Sequence, residues 1–143
     1  ENNDSSQETS DIEDSTDTID TVAEVEKADD SYFTQSKLDR ETMYSQMIES
    51  YQKILNNTQI SEEQKNIAQQ EIKNINNRKN AIMITENLIK NKGFEDVVIF
   101  INDKSVNIIL KAEKLEQEKI AQIQNIIQRE LNVEIEDIHI SNK

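Results

Sequence analysis

The sequence has no cysteine, one glycine and one histidine in 143 residues. Without cysteine there is no disulfide or thiol chemistry, and one histidine does not make a zinc site of the usual ligand types. A single glycine leaves no Gly-rich phosphate loop. No run of about 18 apolar residues occurs, so no segment here is built to span a bilayer, and no signal-peptide core is present. The first residue is Glu1 rather than methionine. The sequence therefore reads as part of a longer or processed chain, with any membrane anchor expected upstream.

Basic surface is also scarce. The formal net charge is −13, but it is unevenly spread. Residues 1–31 hold twelve acids and one lysine, a net −11, and the remaining residues carry only −2. Neither part has the basic stripe that binding a phosphate backbone requires. The first 31 residues are rich in Ser, Thr, Asp and Glu with scattered apolar positions, and cannot bury enough surface to offset ordering entropy. They are expected to form a disordered acidic linker. Asp11, Glu13, Asp14 and Asp17 alternate as in a weak calcium loop, but the EF-hand glycine is missing and a solvated spacer is the better reading.

The apolar residues that are present fall into clear patterns. Over residues 32–59, Met43, Met47, Ile48, Tyr51, Ile54 and Leu55 recur at spacings of three and four, predicting an amphipathic helix. A second helix opens with the capping pair Ser61 and Gln64 and acidic Glu62 and Glu63, and can run to Lys92. Its first half carries a narrow stripe, Ala68, Ile72 and Ile75, suited to a helical hairpin with the first helix. Its second half is apolar on a wide face suited to a sheet. The polar run Asn76–Asn80 between them is the alternative site of a kink.

Gly93 follows this helix, where a left-handed cap favours glycine. From Val97 to Leu110 the pattern switches to a period of two. With Asp103-Lys104 as a two-residue loop, Ile101 faces Val106, Ile99 faces Ile108 and Val97 faces Leu110 on one side. Phe100 with Asn107 and Val98 with Ile109 lie on the other. Lys104 fits poorly in a turn that favours Asn-Gly or Asp-Gly, so a four-residue loop is the alternative. A third helix opens at Glu116 and Gln117, buries Ile120, Ile123, Ile126, Ile127 and Leu131, and ends at Asn132 and Val133. A last strand is expected from Glu134 to Ser141, with Ile138 and Ile140 inward and His139 outward.

The fold class is thus α+β: an N-terminal helical hairpin followed by a two-layer αββαβ domain, two helices on a three-stranded sheet. The expected boundaries are 1–31 linker, 32–59 first helix and 60–143 αββαβ domain. The position of the third strand in the sheet is left open. No catalytic constellation is evident. Asp137, His139 and Ser141 line one strand face, but a chain with one glycine has no glycine-built oxyanion pocket, and an exposed strand histidine is the simpler reading. No enzymatic role, metal or cofactor is expected. If both helices cover one sheet face, Val98, Phe100 and Ile109 are left on the other, with His139 beside them. A contiguous apolar patch of that kind marks an interface, and these four are the candidate partner-binding residues. The unpaired sheet edges offer a second docking mode by strand addition.

Several segments carry a family resemblance: YQKILNN at 51–57, ISEEQKNIA at 60–68, ENLIKNKGFEDVVIFIND at 86–103, SVNIILKAEKL at 105–115 and IAQIQNIIQRE at 120–130. Residues 38–143 closely resemble stage III sporulation protein AH of endospore-forming bacteria, although the family has Asp-Gly where this chain has Asp103-Lys104. The resemblance implies a ring-building domain similar to those of type III secretion and flagellar basal bodies. It implies a single upstream span in the mother-cell membrane around the forespore, with the soluble part in the intermembrane space. The implied partners are stage II sporulation protein Q, further copies in a ring and other stage III sporulation A-operon proteins. The implied role is in engulfment and in a channel that sustains forespore gene expression. The element order also resembles K-homology nucleic-acid modules, but these clamp the backbone with a GxxG loop that this chain lacks.

Overall fold

A computed structural model describes residues 31–143; the acidic linker assigned to 1–31 lies outside them except for Ser31. The chain divides into two compact units, residues 1–35 and 36–143. Of the first, residues 31–35 are described and are helical, with the Tyr32 and Phe33 rings in edge contact at 5.3 Å. The second unit holds α1 (residues 36–56), α2 (Glu62–Lys90), β1 (Val97–Asn102), β2 (Ser105–Leu110), α3 (Gln117–Leu131) and β3 (Ile138–Asn142).

α2 is unbroken over 29 residues, with no kink at Asn76–Asn80. The Ser61 hydroxyl accepts from the Gln64 N–H at 3.3 Å, as the capping pair predicts. Ala68 and Ile75 are buried in its first half, Ile82, Thr85 and Ile89 in its second. α1 lies antiparallel to it: Glu41 pairs with Lys79 at 2.6 Å, and Tyr51 and Ile54 share a groove with Ile60, Ile67 and Ala68. At the far end Gly93 takes φ +105°, and Phe94 packs against the core.

The hairpin register is the expected one, Val97 opposite Leu110, Ile99 opposite Ile108 and Ile101 opposite Val106. Asn102 and Ser105 close a two-residue loop. Only Asp103 has positive φ (59°), while Lys104 does not. That is the φ pattern of a II′ rather than a I′ turn, so lysine is tolerated in second place. Magnitudes explain why the register prevails over the turn residues. A fully buried Val, Leu or Ile contributes about 1.5–3 kcal/mol, and Val97, Ile99, Val106, Ile108 and Leu110 all have no exposed surface. One left-handed residue costs only about 1–2 kcal/mol.

α3 ends at Asn132, which takes the left-handed conformation at φ 54°, ψ 54°. The last strand departs from expectation. Ile135–Asp137 form a 3-10 turn and the strand begins at Ile138. β3 lies parallel to β2, giving the order β1-β2-β3. The core joins the inner sheet face to Ile82 and Ile89 of α2 and to Ile123, Ile126 and Ile127 of α3.

Tyr44 of α1 completes that core, but its hydroxyl is buried without a hydrogen-bond partner. Burial raises its pKa, against a weaker pull from Arg78 and Arg40. An unsatisfied buried hydroxyl is a net cost. Tyr44→Phe is therefore expected to leave stability unchanged or raise it by about 1 kcal/mol in urea denaturation. A loss of that size would mean that the hydroxyl is bonded.

Candidate functional site

The outer sheet face is read from the register. Val98 stands opposite Ile109, and Ile109 beside Ser141; Phe100 stands opposite Asn107, and Asn107 beside His139. The structure brings Val98, Phe100 and Ile109 together on the β1–β2 half of this face. His139 stands two strands from Phe100, on a polar half shared with Ser141.

These four residues differ in access. His139 is exposed, and Phe100 and Ile109 are half-buried. Val98 has no exposed surface, so the expectation of a bare row fails at this position. α1 is fastened to β1 on either side of Val98, through Asp96 and Ile99, and so borders this part of the strand where open water was expected. The accessible apolar surface shifts toward the hairpin tip. There Phe100, Ile101 and Asn102 face Arg40, Met43 and Tyr44 across a groove of about 330 Å³. Met43 is 45% exposed and Met47, one turn on, 38%. Unbranched, polarizable methionine side chains beside an aromatic ring make an adaptable contact surface.

The fastening of α1 is the feature that sequence reading missed. Arg40 Nη1 donates to Glu86 Oε2 at 2.8 Å and to the Ile99 carbonyl at 2.7 Å, and Nη2 donates to Glu86 Oε1 at 3.3 Å. The Ile99 N–H donates to Glu86 Oε2 at 3.0 Å. Ile99 and Ile108 form a pair whose N–H and C=O groups point out of the β1–β2 ladder, because alternate antiparallel pairs do so. Both outward groups of Ile99 are thus taken by one ion pair. Two residues earlier, the Val97 N–H donates to Asp96 Oδ1 at 2.8 Å, and Lys37 donates to the same oxygen at 2.7 Å. A signal did exist in the sequence. Glu86 falls four residues after Ile82 and three before Ile89, on the core stripe. A lone acid there needs a buried cation, and Arg40 sits one turn before Tyr44.

Among the described residues no group of His, Cys, Asp and Glu is placed to hold a metal ion, and no helix is long and apolar enough to cross a membrane. The architecture defines the class: an αββαβ domain of α+β type bearing an N-terminal helical hairpin. Within that class the chain belongs to the SpoIIIAH-like protein family, whose model matches residues 1–140. Among solved structures it is similar to a chain of the SpoIIQ–SpoIIIAH pore-forming complex, with 21% identity and a TM-score of 0.70. That match covers 78% of this chain and 96% of the other, and establishes a shared fold. Among curated proteins none matches.

Two outcomes test the fastening. Glu86→Ala strands the Arg40 charge, whose side chain is 12% exposed, and is expected to cost about 3–5 kcal/mol in urea denaturation. It should also speed hydrogen exchange at the Ile99 amide. At Asp96, burial alone would raise the pKa, but Lys37 and the Val97 N–H outweigh it and hold the carboxyl below its usual 3.8. Its stabilising contribution is therefore complete above pH 3.8 and lost as pH falls through the lower folded value. Asp96→Asn should cost about 1 kcal/mol at pH 7, with the gap to wild type closing below about pH 4.

Proposed function

We propose that this chain is a non-enzymatic component of the channel complex between mother cell and forespore in sporulating bacteria. In this reading its soluble domain binds stage II sporulation protein Q across the intermembrane space. The observation that carries the proposal is family membership over nearly the whole chain, joined to a fold shared with a chain of the SpoIIQ–SpoIIIAH pore-forming complex. On this reading a single membrane span precedes residue 1, and residues 1–31 separate membrane from domain. The domain also assembles with itself into rings and meets other proteins of the stage III sporulation A operon, supporting engulfment and forespore gene expression.

The partner surface we assign is the outer face around Phe100 and Ile109, with His139 at its polar end and Met43 and Met47 extending it along α1. Val98 lies on the same face but has no exposed area of its own, so it drops out of the contact. Interfaces concentrate their energy in a few aromatic anchors, and Phe100 is the one aromatic residue on this face. Phe100→Glu should weaken binding of stage II sporulation protein Q by more than about 2 kcal/mol in a calorimetric titration. Thermal unfolding of the free domain should change little, since the side chain is half-exposed. Unchanged affinity would remove Phe100 from the interface.

A further inference from the structure

Two patches on this chain have opposite character. One is a groove of about 320 Å³ between α2 and α3. Leu88 and Ile126 form its apolar part, half-buried and buried, and Lys92 and Arg129 stand exposed beside them. Amide side chains, Asn91 and Asn125 among them, complete the lining, and no carboxylate belongs to it. Glu130 accepts from Arg129 Nε at 3.2 Å, which leaves the outer edge of the guanidinium open. The Lys119 ammonium is held nearby on the Lys92 carbonyl at 2.8 Å. An apolar hollow between cations fits an apolar side chain carried between acids.

The other patch is the 3-10 turn that leads into β3. Ile135 is 52% exposed there, with Glu134 before it and Glu136 and Asp137 after it. No lysine or arginine occurs from Leu131 to Asn142, and none of these three carboxylates joins an ion pair among the described residues. A single exposed isoleucine means little by itself. Here the backbone presents it: the Asp137 N–H donates to the Glu134 carbonyl at 3.0 Å, and the Ile138 N–H donates to the Ile135 carbonyl. A side chain already held in place costs less ordering on contact.

We propose that the Ile135 turn of one copy docks in the α2–α3 groove of a second copy. The inference rests on the reading that this domain assembles with itself, and names the contact. Ile135 lies against Leu88 and Ile126, and Glu134 and Glu136 meet Lys92 and Arg129. The groove opens between two helices, whereas the turn stands where α3 hands the chain to β3. Two different patches on one chain make a heterologous contact, which closes into a ring or continues as a filament according to its rotation. Neither the outer face around Phe100 nor either edge of the sheet supplies a residue to it.

Sedimentation of the full chain at rising concentration tests the contact, together with disulfide trapping, for which a chain without cysteine has no background. Association should weaken with salt, as paired surface charges require. Ile135→Asp and Arg129→Glu should each weaken it about tenfold or more, and Glu134→Arg should restore part of what Arg129→Glu loses. Ile135 is half-exposed and the Arg129 side chain is 65% exposed, so thermal unfolding should change little in either variant. Copies carrying Ile135→Cys mixed with copies carrying Asn125→Cys should form a mixed disulfide, which needs Cα atoms within about 7 Å. Ile135→Cys mixed with Gln69→Cys should not. Association that none of these changes touches, with no mixed disulfide, overturns the contact and leaves self-assembly standing. Association lost with Arg129→Glu but not with Ile135→Asp gives the groove to another acidic segment and overturns the turn as its occupant. A disulfide between two Ile135→Cys copies makes the contact two-fold and overturns the groove. No association at any concentration overturns both the contact and the self-assembly reading.

Discussion

The Glu86 carboxylate lies at the meeting point of three elements and holds each of them. It sits on α2, accepts from Arg40 of α1 through both oxygens, and accepts from the Ile99 N–H of β1. Arg40 closes the circuit by donating to the Ile99 carbonyl. A buried ion pair of this kind adds little net stability, because desolvating two charges offsets most of their attraction. Its contribution is to position. Apolar side chains would let α1 slide along the β1 edge, whereas directional bonds to one peptide unit allow a single register. The α1–α2 hairpin, the sheet edge and the groove beside Phe100 all inherit their geometry from that choice.

This dependence explains the unusual load on α2. Its N-terminal half packs against α1 through Ala68 and Ile75, and its C-terminal half packs against the sheet through Ile82 and Ile89. An unbroken helix of 29 residues spanning two packing surfaces would transmit any tilt at one end to the other. Glu86 stands in the sheet-packing half, while Lys79 meets Glu41 about two turns earlier. The two ion pairs fix α1 at successive points along the same helix. The Lys37–Asp96 pair adds a third, on the strand side.

Much of this was legible in the sequence wherever a period or a backbone requirement was at stake. Alternation from Val97 to Leu110 determined the hairpin register, because a one-residue slip would turn the aliphatic row of Ile99 and Ile108 to the other face. Gly93 marked the end of α2, and Ser61 with Gln64 its start. Residues whose role depends on a distant partner were not legible. Nothing local links Arg40 to Glu86, which are 46 positions apart. The burial of Val98, on a face expected to be bare, is likewise something no strand pattern reveals. Ile135 falls inside the expected strand, yet the chain makes a 3-10 turn there and leaves it half-exposed. A period of two over so few residues does not separate a strand from the turn that leads into it. Strand order depends on how α3 returns the chain to the sheet, and β2 and β1 offered equally plausible neighbours.

The inequality of the two sheet edges constrains any assembly this chain can build. A head-to-tail array grown by sheet continuation needs two open edges on each copy, one to give and one to receive. Here Arg40 and Glu86 occupy the β1 edge at its centre, and Asp96 occupies it at its start. Opening it would strand a guanidinium and a carboxylate that are both nearly buried, a cost larger than two or three main-chain hydrogen bonds return. Sheet continuation through this edge would therefore have to break the Arg40–Glu86 pair at its centre first.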